Sequence, residues 1–271
     1  MGSLGMPRLS IVVVTFNSAT HIAGCLESLI EHPPTIDHEI LIVDNASTDA
    51  TVATTRQRWS GVRVIEAGSN LGFAAANNLG IRQSFSPLIL LLNPDTVVPA
   101  GAIDALVADI DRRADVGIVG PKLVDANGRA ELSWGHMISP LAELRQQLVT
   151  PWAEALTRRA REVDWVSGAC MLVRRQAADA VGLMDERYFM YAEDVDFCAE
   201  VRRRGWKVLF TPTAQVIHLR GQSRATAPTA TERAYRQSQI AFYEKHHPRW
   251  ARWLRWYLKA KGSLPDKPLK R

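Results

Sequence analysis

The sequence predicts an α/β protein built on a mostly parallel sheet with helices on both faces. Three observations carry this. Over the first 120 residues, short β-branched or aliphatic runs alternate with segments of helical spacing, the pattern of successive strand–helix–strand units. The run LILLL at 88–92 is apolar without alternation, as expected of a strand covered on both faces. Polar residues gather directly after these runs, and ligands of such sheets sit beyond the carboxyl ends of the strands.

Taken in order, 9–14 is a β-branched strand and 19–30 has helical spacing. A second strand at 39–43 precedes Ser47 and Thr48, natural N-caps for a helix reaching about Arg58. A short strand at 62–65 is followed by a helix at 72–82, the strand 88–92, and a helix at 99–111 with Pro99 near its first position. Residues 116–119 close the series. Beyond them, Asp125-Ala126-Asn127-Gly128 reads as a hairpin turn, and 141–162 as a basic, partly amphipathic helical insertion broken at Thr150-Pro151. Residues 165–174 read as a strand containing Ser167-Gly168-Ala169. Residues 193–204 form a helix ended by Gly205, 207–210 a further strand, and His218 precedes a loop containing Gly221.

Composition excludes several classes. With 271 residues, 46% hydrophobic and 23% charged, the chain has ordinary globular usage and is long enough for a proper core. No aliphatic run approaches the roughly 20 residues of a membrane span. The apolar stretch 9–14 runs into Thr15-Phe16-Asn17 and reads as a strand, not a secretory leader. Cys25, Cys170 and Cys198 are odd in number and widely spaced, which suits buried free thiols better than disulfides or a zinc site. The net charge of +5 is uneven: residues 233–271 hold 11 Lys and Arg against two acids, leaving 22 basic and 26 acidic side chains in the rest. A basic tail on an acidic body argues against a general nucleic-acid binder. No P-loop and no Gly-x-Gly-x-x-Gly pattern occurs, so ATPase and dinucleotide readings lack support.

The polar residues after the strands are Thr15-Phe16-Asn17, Asp44-Asn45, the 68–72 loop and Asn93-Pro94-Asp95. Singly, Asp44 and Asp95 serve equally well as turn formers. Together on one sheet edge they point to a site. Glu193-Asp194-Val195-Asp196 also has two readings, because acids in a first turn and Arg202–Arg204 in a last turn simply suit a helix dipole.

Four stretches carry a resemblance. These are 11–17 with ILIVDNASTDAT (40–51), SNLGFAAANNLG (69–80), LLNPDTVVP (91–99), and MDERYFMYAEDVDFCAEVRRRGW followed by VIHLRGQS within 184–223. In this order they resemble glycosyltransferase family 2, and within it the bacterial rhamnosyltransferases of cell-wall and surface polysaccharide synthesis. The resemblance implies a GT-A fold over 8–224, with a nucleotide-binding half (1–120), an acceptor and catalytic half (121–224), and a basic aromatic extension (225–271). It implies an inverting transfer from a nucleotide-sugar donor, with dTDP-L-rhamnose favoured and galactofuranosyl or other UDP-sugar transfer the rival.

Asp44 matches the family's nucleobase-binding acid. A carboxylate accepts the imide N–H of uracil or thymine, which favours UDP or dTDP over CDP. Thr15, Asn17 and Asn45 line the same pocket, and Asn77 and Asn78, on the helix behind the Gly72 loop, are candidates for nucleotide or sugar contacts. Asp95 matches a ligand for a divalent cation, Mg2+ or Mn2+, whose charge offsets that of the departing diphosphate. His218 matches a second ligand, and Asn93 stands where the family often has another acid. Asp194 occupies the position of the catalytic base, with Glu193 orienting it and Asp196 and Gly168 at the acceptor.

The segment HHPRWARWLRWYLKAK (246–261) places Trp250, Trp253, Trp256 and Tyr257 on one side of a helix, among Arg252, Arg255 and Lys259. Such a helix either lies in a membrane interface or docks its aromatics on the core. With a polyprenyl-diphosphate-linked acceptor implied by the resemblance, the membrane reading predicts a cytoplasmic enzyme peripheral to the inner face of the plasma membrane. Two other classes remain open on these residues: a sugar-phosphate nucleotidyltransferase, and a non-catalytic nucleotide-sugar-binding adaptor at the membrane.

Overall fold

Apolar strands that the sequence makes legible form the centre of the sheet. The structure, a computed structural model, describes residues 6–137, 153–219 and 228–265. Residues 1–5, most of the expected insertion at 141–162 and the Gly221 loop lie outside the described residues. In chain order the elements are β1 (Leu9–Thr15), α1 (Ile22–Glu31), β2 (His38–Asp44), α2 (Thr51–Arg58), β3 (Arg63–Glu66), α3 (Phe73–Arg82), β4 (Leu88–Leu92), β5 (Thr96–Val97), α4 (Ala102–Asp111) and β6 (Val116–Val124). The second half holds β7 (Ala130–Glu131), β8 (Trp134–Gly135), α5 (Ala153–Leu156), β9 (Arg161–Val163), β10 (Trp165–Val166), β11 (Cys170–Arg174), α6 (Arg175–Val181), α7 (Glu193–Arg203), β12 (Lys207–His218), α8 (Pro228–His246) and α9 (Pro248–Ala260).

The main sheet runs β3-β2-β1-β4-β11-β6-β12-β5, with β7 on β6 and β9 on β12. Strands β3, β2, β1 and β4 are mutually parallel, as are β6 and β12. Between these blocks β11 pairs antiparallel with both β4 and β6. The sheet is therefore mixed, which apolar periodicity does not reveal because it carries no strand direction. The expected single strand at 165–174 is two pieces: β10 pairs antiparallel with β8 in a separate two-stranded sheet, and the chain crosses through Ser167-Gly168-Ala169 to enter the main sheet as β11. The helix expected from Pro99 begins at Ala102, behind Gly101 in a left-handed conformation (φ 75°).

Strand alternation sorts the core into two layers. Leu9, Ile11 and Val13 face Ile22, Leu26, Leu106 and Ile110 on one side. Val12 and Val14 face Ala74, Ile81, Phe197 and Val201 on the other. Helix α3 reaches β1 so closely that a Cβ on Gly80 would lie 2.4 Å from Val12 Cγ1. The three cysteines are free and buried, and burial raises their thiols, Cys25 to about 12. A third core joins Ile240, Phe242, Tyr243, Ala251, Leu254 and Leu258 of α8 and α9 to Tyr188 and to Val195 of α7. Among the described residues, no helix is long and apolar enough to cross a membrane.

Candidate active site

Parallel strands β1, β2 and β4 end at one edge, and their register sets Thr15 opposite Asp44. Thr15 donates its hydroxyl to Asp44 Oδ1 (3.1 Å), and the Ser47 N–H donates to Oδ2 (2.9 Å). Each oxygen keeps a further lone pair for an incoming donor. Asn17 (φ 50°) accepts the Thr48 N–H at Oδ1 (2.8 Å) and donates its own N–H to Ser47 Oγ (2.8 Å). Ser47 and Thr48, expected to cap α2, are thus spent on the site's loops, and α2 starts at Thr51 behind Ala50 with no side-chain cap. Asn45 is buried and ties down the next loop: its Oδ1 accepts the Leu71 N–H (2.8 Å) and its amide donates to Asn70 Oδ1 (2.8 Å) and the Gly72 carbonyl (3.3 Å).

Gly72 is required where it stands. Its φ is +84°, and a Cβ there would lie 2.5 Å from the Phe189 carbonyl oxygen. That carbonyl accepts the Phe73 N–H at 2.7 Å, which couples the 68–72 loop to the segment leading into α7. Asn77 and Asn78 follow on α3 and both are buried. Asn77 donates to the Phe73 carbonyl of its own helix (3.0 Å). Asn78 accepts the Met184 N–H (3.0 Å) and donates to the Met184 carbonyl (2.8 Å) and Glu186 (3.0 Å). With its amide committed at both ends, Asn78 is a clamp on the 184–186 segment, not the open nucleotide contact expected of it.

The backbone into α7 is strained. Tyr191 (φ 73°) and Ala192 (φ 65°) are consecutive non-glycine residues in the left-handed region, a conformation that costs of order 1–3 kcal/mol per residue and clusters at functional sites. Helix α7 then presents Asp194, whose Oδ2 accepts the Gly168 N–H (3.0 Å) and whose Oδ1 accepts the Val195 N–H (2.8 Å). Gly168 also packs here, since a Cβ on it would meet Asp194 Cβ at 3.3 Å and Phe73 Cε1 at 3.4 Å. Glu193 is buried and its Oε2 has no hydrogen-bond partner. Burial first, and then the neighbouring Asp194 charge, raise its carboxyl well above the ordinary range against a smaller opposing backbone hydrogen bond.

Asp196 departs from its expected place at the acceptor. It is 1% exposed and accepts from Tyr188 Oη (3.1 Å), Lys245 Nζ (2.8 Å) and His246 Nε2 (2.6 Å). The charge pair forms inside the protein because α8 brings Lys245 and His246 against α7. Asp196, Glu200 and His246 offer ligand atoms within 4.8 Å of one another, but the Lys245 ammonium lies 2.8 Å from Asp196 and 3.4 Å from Glu200 and meets their charge. The cluster is a lock between helices, not a metal centre.

The cation donors expected from sequence do come together. Thr96 pairs with His218 across β5 and β12, and Leu219 donates its N–H to the Asp95 carbonyl (2.8 Å). His218 Nε2 lies 3.4 Å from Asp95 Oδ1, with 9% and 19% of these side chains exposed. For Asp95, burial works to raise the carboxyl, and the hydrogen bond and charge of His218 outweigh it, helped by its own backbone N–H and by His21, so the net direction is down. Asn93 Oδ1, two residues earlier, is buried without a hydrogen-bond partner. A carboxylate, an imidazole and an unsatisfied amide oxygen suit Mg2+ or Mn2+. On the far side of the ring, Glu131 Oε2 stands 3.5 Å from His218 Nδ1. Sequence reasoning missed Glu131, as it missed Ala46 (φ 65°) and the Tyr191–Ala192 pair, because no local pattern marks them.

In α9 it is aliphatic residues, not the tryptophans, that dock on the core. Ala251, Leu254 and Leu258 dock on the protein, while Trp250, Trp253 and Trp256 remain 51%, 48% and 66% exposed. Trp253 stacks on Tyr257 at 5.5 Å.

Residues 7–252 match the family described as Glycosyltransferase like family 2. The N-acetylglucosaminyl-diphospho-decaprenol L-rhamnosyltransferase of Mycobacterium tuberculosis is 34% identical over 94% of this chain and 90% of its own length. A low-salt glycan biosynthesis hexosyltransferase of Haloferax volcanii is 26% identical over 78% of this chain and 66% of its own. Among solved structures, a Pyrobaculum calidifontis mannosyltransferase in complex with GDP-Man and Mn2+ superposes with TM-score 0.63, at 18% identity over 93% of this chain and 69% of that one. GalNAc-T7 with UDP, GalNAc and Mn2+ gives 0.65 at 17% identity, over 89% of this chain and 50% of that one. The structural likenesses establish the GT-A-like fold. The chain belongs to glycosyltransferase family 2.

Proposed function

We propose, with that membership as premise, that the chain is an inverting hexosyltransferase. It moves L-rhamnose from dTDP-L-rhamnose to a polyprenyl-diphosphate-linked saccharide in cell-wall or surface polysaccharide synthesis. The likeness to the mycobacterial rhamnosyltransferase over nearly the whole chain supports the donor and acceptor classes. The observation that carries the chemistry is Asp194, oriented by N–H donors from Gly168 and Val195 at the strained entry to α7.

The nucleobase donates its imide N–H to Asp44, with Thr15, Asn17 and Asn45 shaping the pocket and the 68–72 loop around it. Asp95 and His218 hold a divalent cation, Mg2+ or Mn2+, which when bound offsets the charge growing on the diphosphate. Asp194 takes the proton of the acceptor hydroxyl as that oxygen bonds to the anomeric carbon. The bond from the anomeric carbon to the diphosphate breaks, and its electron pair leaves with the nucleoside diphosphate. A single displacement inverts the configuration, so a β-linked donor yields an α-linkage. Burial, and then the neighbouring Asp194 charge, favour the neutral form of Glu193. The exposed Trp250, Trp253 and Trp256 rest in the membrane interface and make the enzyme peripheral on the cytoplasmic face, where anionic lipid attracts Arg249, Arg252 and Lys259.

The test is a transfer assay with dTDP-L-rhamnose and UDP-sugars on a short-chain polyprenyl-diphosphate saccharide. Turnover with dTDP-L-rhamnose that falls about 10²–10⁴-fold in Asp194→Asn, with nucleotide binding retained, is expected. Full turnover in the variant removes Asp194 as the base, and turnover only with a UDP-sugar replaces the donor.

A further inference from the structure

We propose that Glu131 is a positioning residue for the cation site: its carboxylate holds the His218 ring so that Nε2 faces Asp95. This rests on the reading of Asp95 and His218 as the cation-binding pair. The sheet places the three residues in line. Glu131 on β7 is opposite Leu123 on β6, Leu123 is opposite Val216 on β12, and His218 lies two residues on, on the same face as Val216. His218 is in turn opposite Thr96, beside Asp95. Glu131 Oε2 lies 3.5 Å from Nδ1, an ion-pair distance rather than a formed hydrogen bond, and Asp95 Oδ1 lies 3.4 Å from Nε2. All three side chains are largely out of solvent, at 16%, 9% and 19% exposure for Glu131, His218 and Asp95.

A neutral imidazole has one N–H and one lone pair, and whichever nitrogen faces a fixed acceptor carries the proton. Here both nitrogens face carboxylates. A cation beside Asp95 requires the lone pair at Nε2, which leaves the proton at Nδ1, directed at Glu131. A carboxylate behind a metal-bound histidine fixes its tautomer and ring orientation and raises its basicity, and losing such a partner weakens metal affinity by about 10–100-fold.

Metal affinity separates positioning from mere structural support. Mn2+ is titrated calorimetrically into the full chain in the presence of saturating UDP or dTDP, for wild type, Glu131→Gln, Glu131→Ala, His218→Ala and Asp95→Asn. The expected result is a loss of about 10–100-fold for Glu131→Ala. Glu131→Gln, whose amide oxygen still accepts from Nδ1, loses less. Nucleotide binding in EDTA is the same for wild type and both Glu131 variants. Mn2+ affinity within twofold of wild type in Glu131→Ala, while His218→Ala and Asp95→Asn lose theirs, overturns the role of Glu131 alone. Unchanged affinity in all four variants overturns the cation pair and the proposal with it. Glu131→Gln, nearly isosteric, decides the matter where the alanine variant does not fold.

Discussion

Glu193 makes the stability of this enzyme depend on pH in a direction opposite to that of an ordinary carboxylate. The side chain is buried, its Oε2 has no hydrogen-bond partner, and Asp194 is its neighbour. Burial and then that adjacent charge raise its carboxyl well above the ordinary value of 4.5. From 4.5 upward, the native state therefore holds a proton that the unfolded chain has released. Linkage then lowers the unfolding free energy by about 1.4 kcal/mol per pH unit. The stabilisation is complete below pH 4.5, is lost as pH rises towards the folded value, and is flat beyond it. Asp95 and Asp185 are shifted the other way, so their contributions change below about pH 3.8, outside this window. At about 2.1 cal/mol/K of unfolding entropy per residue, a chain of 271 residues moves its Tm by roughly 2 °C per kcal/mol. Glu193→Gln removes the titration and keeps the shape. Melting curves of both proteins between pH 4.5 and 7 should show the variant gaining on wild type by about 2–3 °C per pH unit until Glu193 ionises. A difference that stays constant within 1 °C across that range would falsify the argument that Glu193 is folded in its neutral form.

The lock around Asp196 gives a second expectation: Asp196→Ala, which strands the His246 ring and a partly buried Lys245, lowers stability by about 3–5 kcal/mol, roughly 6–10 °C in Tm. By contrast, Arg255→Ala at the exposed pair with Glu244 costs under about 1 kcal/mol. An acceptor-binding Asp196 would instead change KM and leave Tm alone, so thermal melts beside a KM series distinguish the two. For the tail, replacing Trp250, Trp253 and Trp256 together by Ser should weaken binding to anionic liposomes by about tenfold or more in a flotation assay. Undiminished binding would rule out the membrane role of this face. Substitution is the better instrument than cutting the chain near residue 245, which would also delete His246 from the lock.

Much of the first 120 residues was legible because it consists of runs whose chemistry admits one solution. Strands β1, β2 and β4 carry unbroken apolar runs (11–14, 40–43 and 88–92) followed by polar residues, and the sheet edge that gathers Asp44 and Asp95 follows from their parallel order. What was not legible depends on contacts between distant residues. Asn78 and Asp196 are readable as polar, but only the fold shows that Met184 and Glu186 consume one and that Lys245, His246 and Tyr188 consume the other. Ser47 and Thr48 have the chemistry of helix caps, and Asp44 and Asn17 compete for them more effectively. Left-handed Ala46, Tyr191 and Ala192 carry no glycine or asparagine to announce themselves. Glu131 sits on a strand of two residues, too short for any periodicity.

The lock also bears on why an aromatic helix belongs on this enzyme. Asp194 and Asp196 stand two residues apart at the start of α7, and Asp196 holds the last turn of α8 through Lys245 and His246. Helix α9 begins at Pro248 and shares its core with Tyr188 and Val195. The proposed base and the proposed membrane face are thus joined by buried contacts at both ends, not by a flexible linker. A base on a flexible tether would sample many heights above a bilayer, and a misplacement of about 1 Å at the reacting atoms can cost on the order of 10² in rate. Were the tryptophans seated in the interface as proposed, the height and tilt of Asp194 would be set by the α7–α8–α9 packing. A lipid-linked hydroxyl would then have only lateral diffusion left to complete. On this reasoning, loosening the lock should reduce turnover on a membrane-borne acceptor more than on a water-soluble analogue, even where both are saturating.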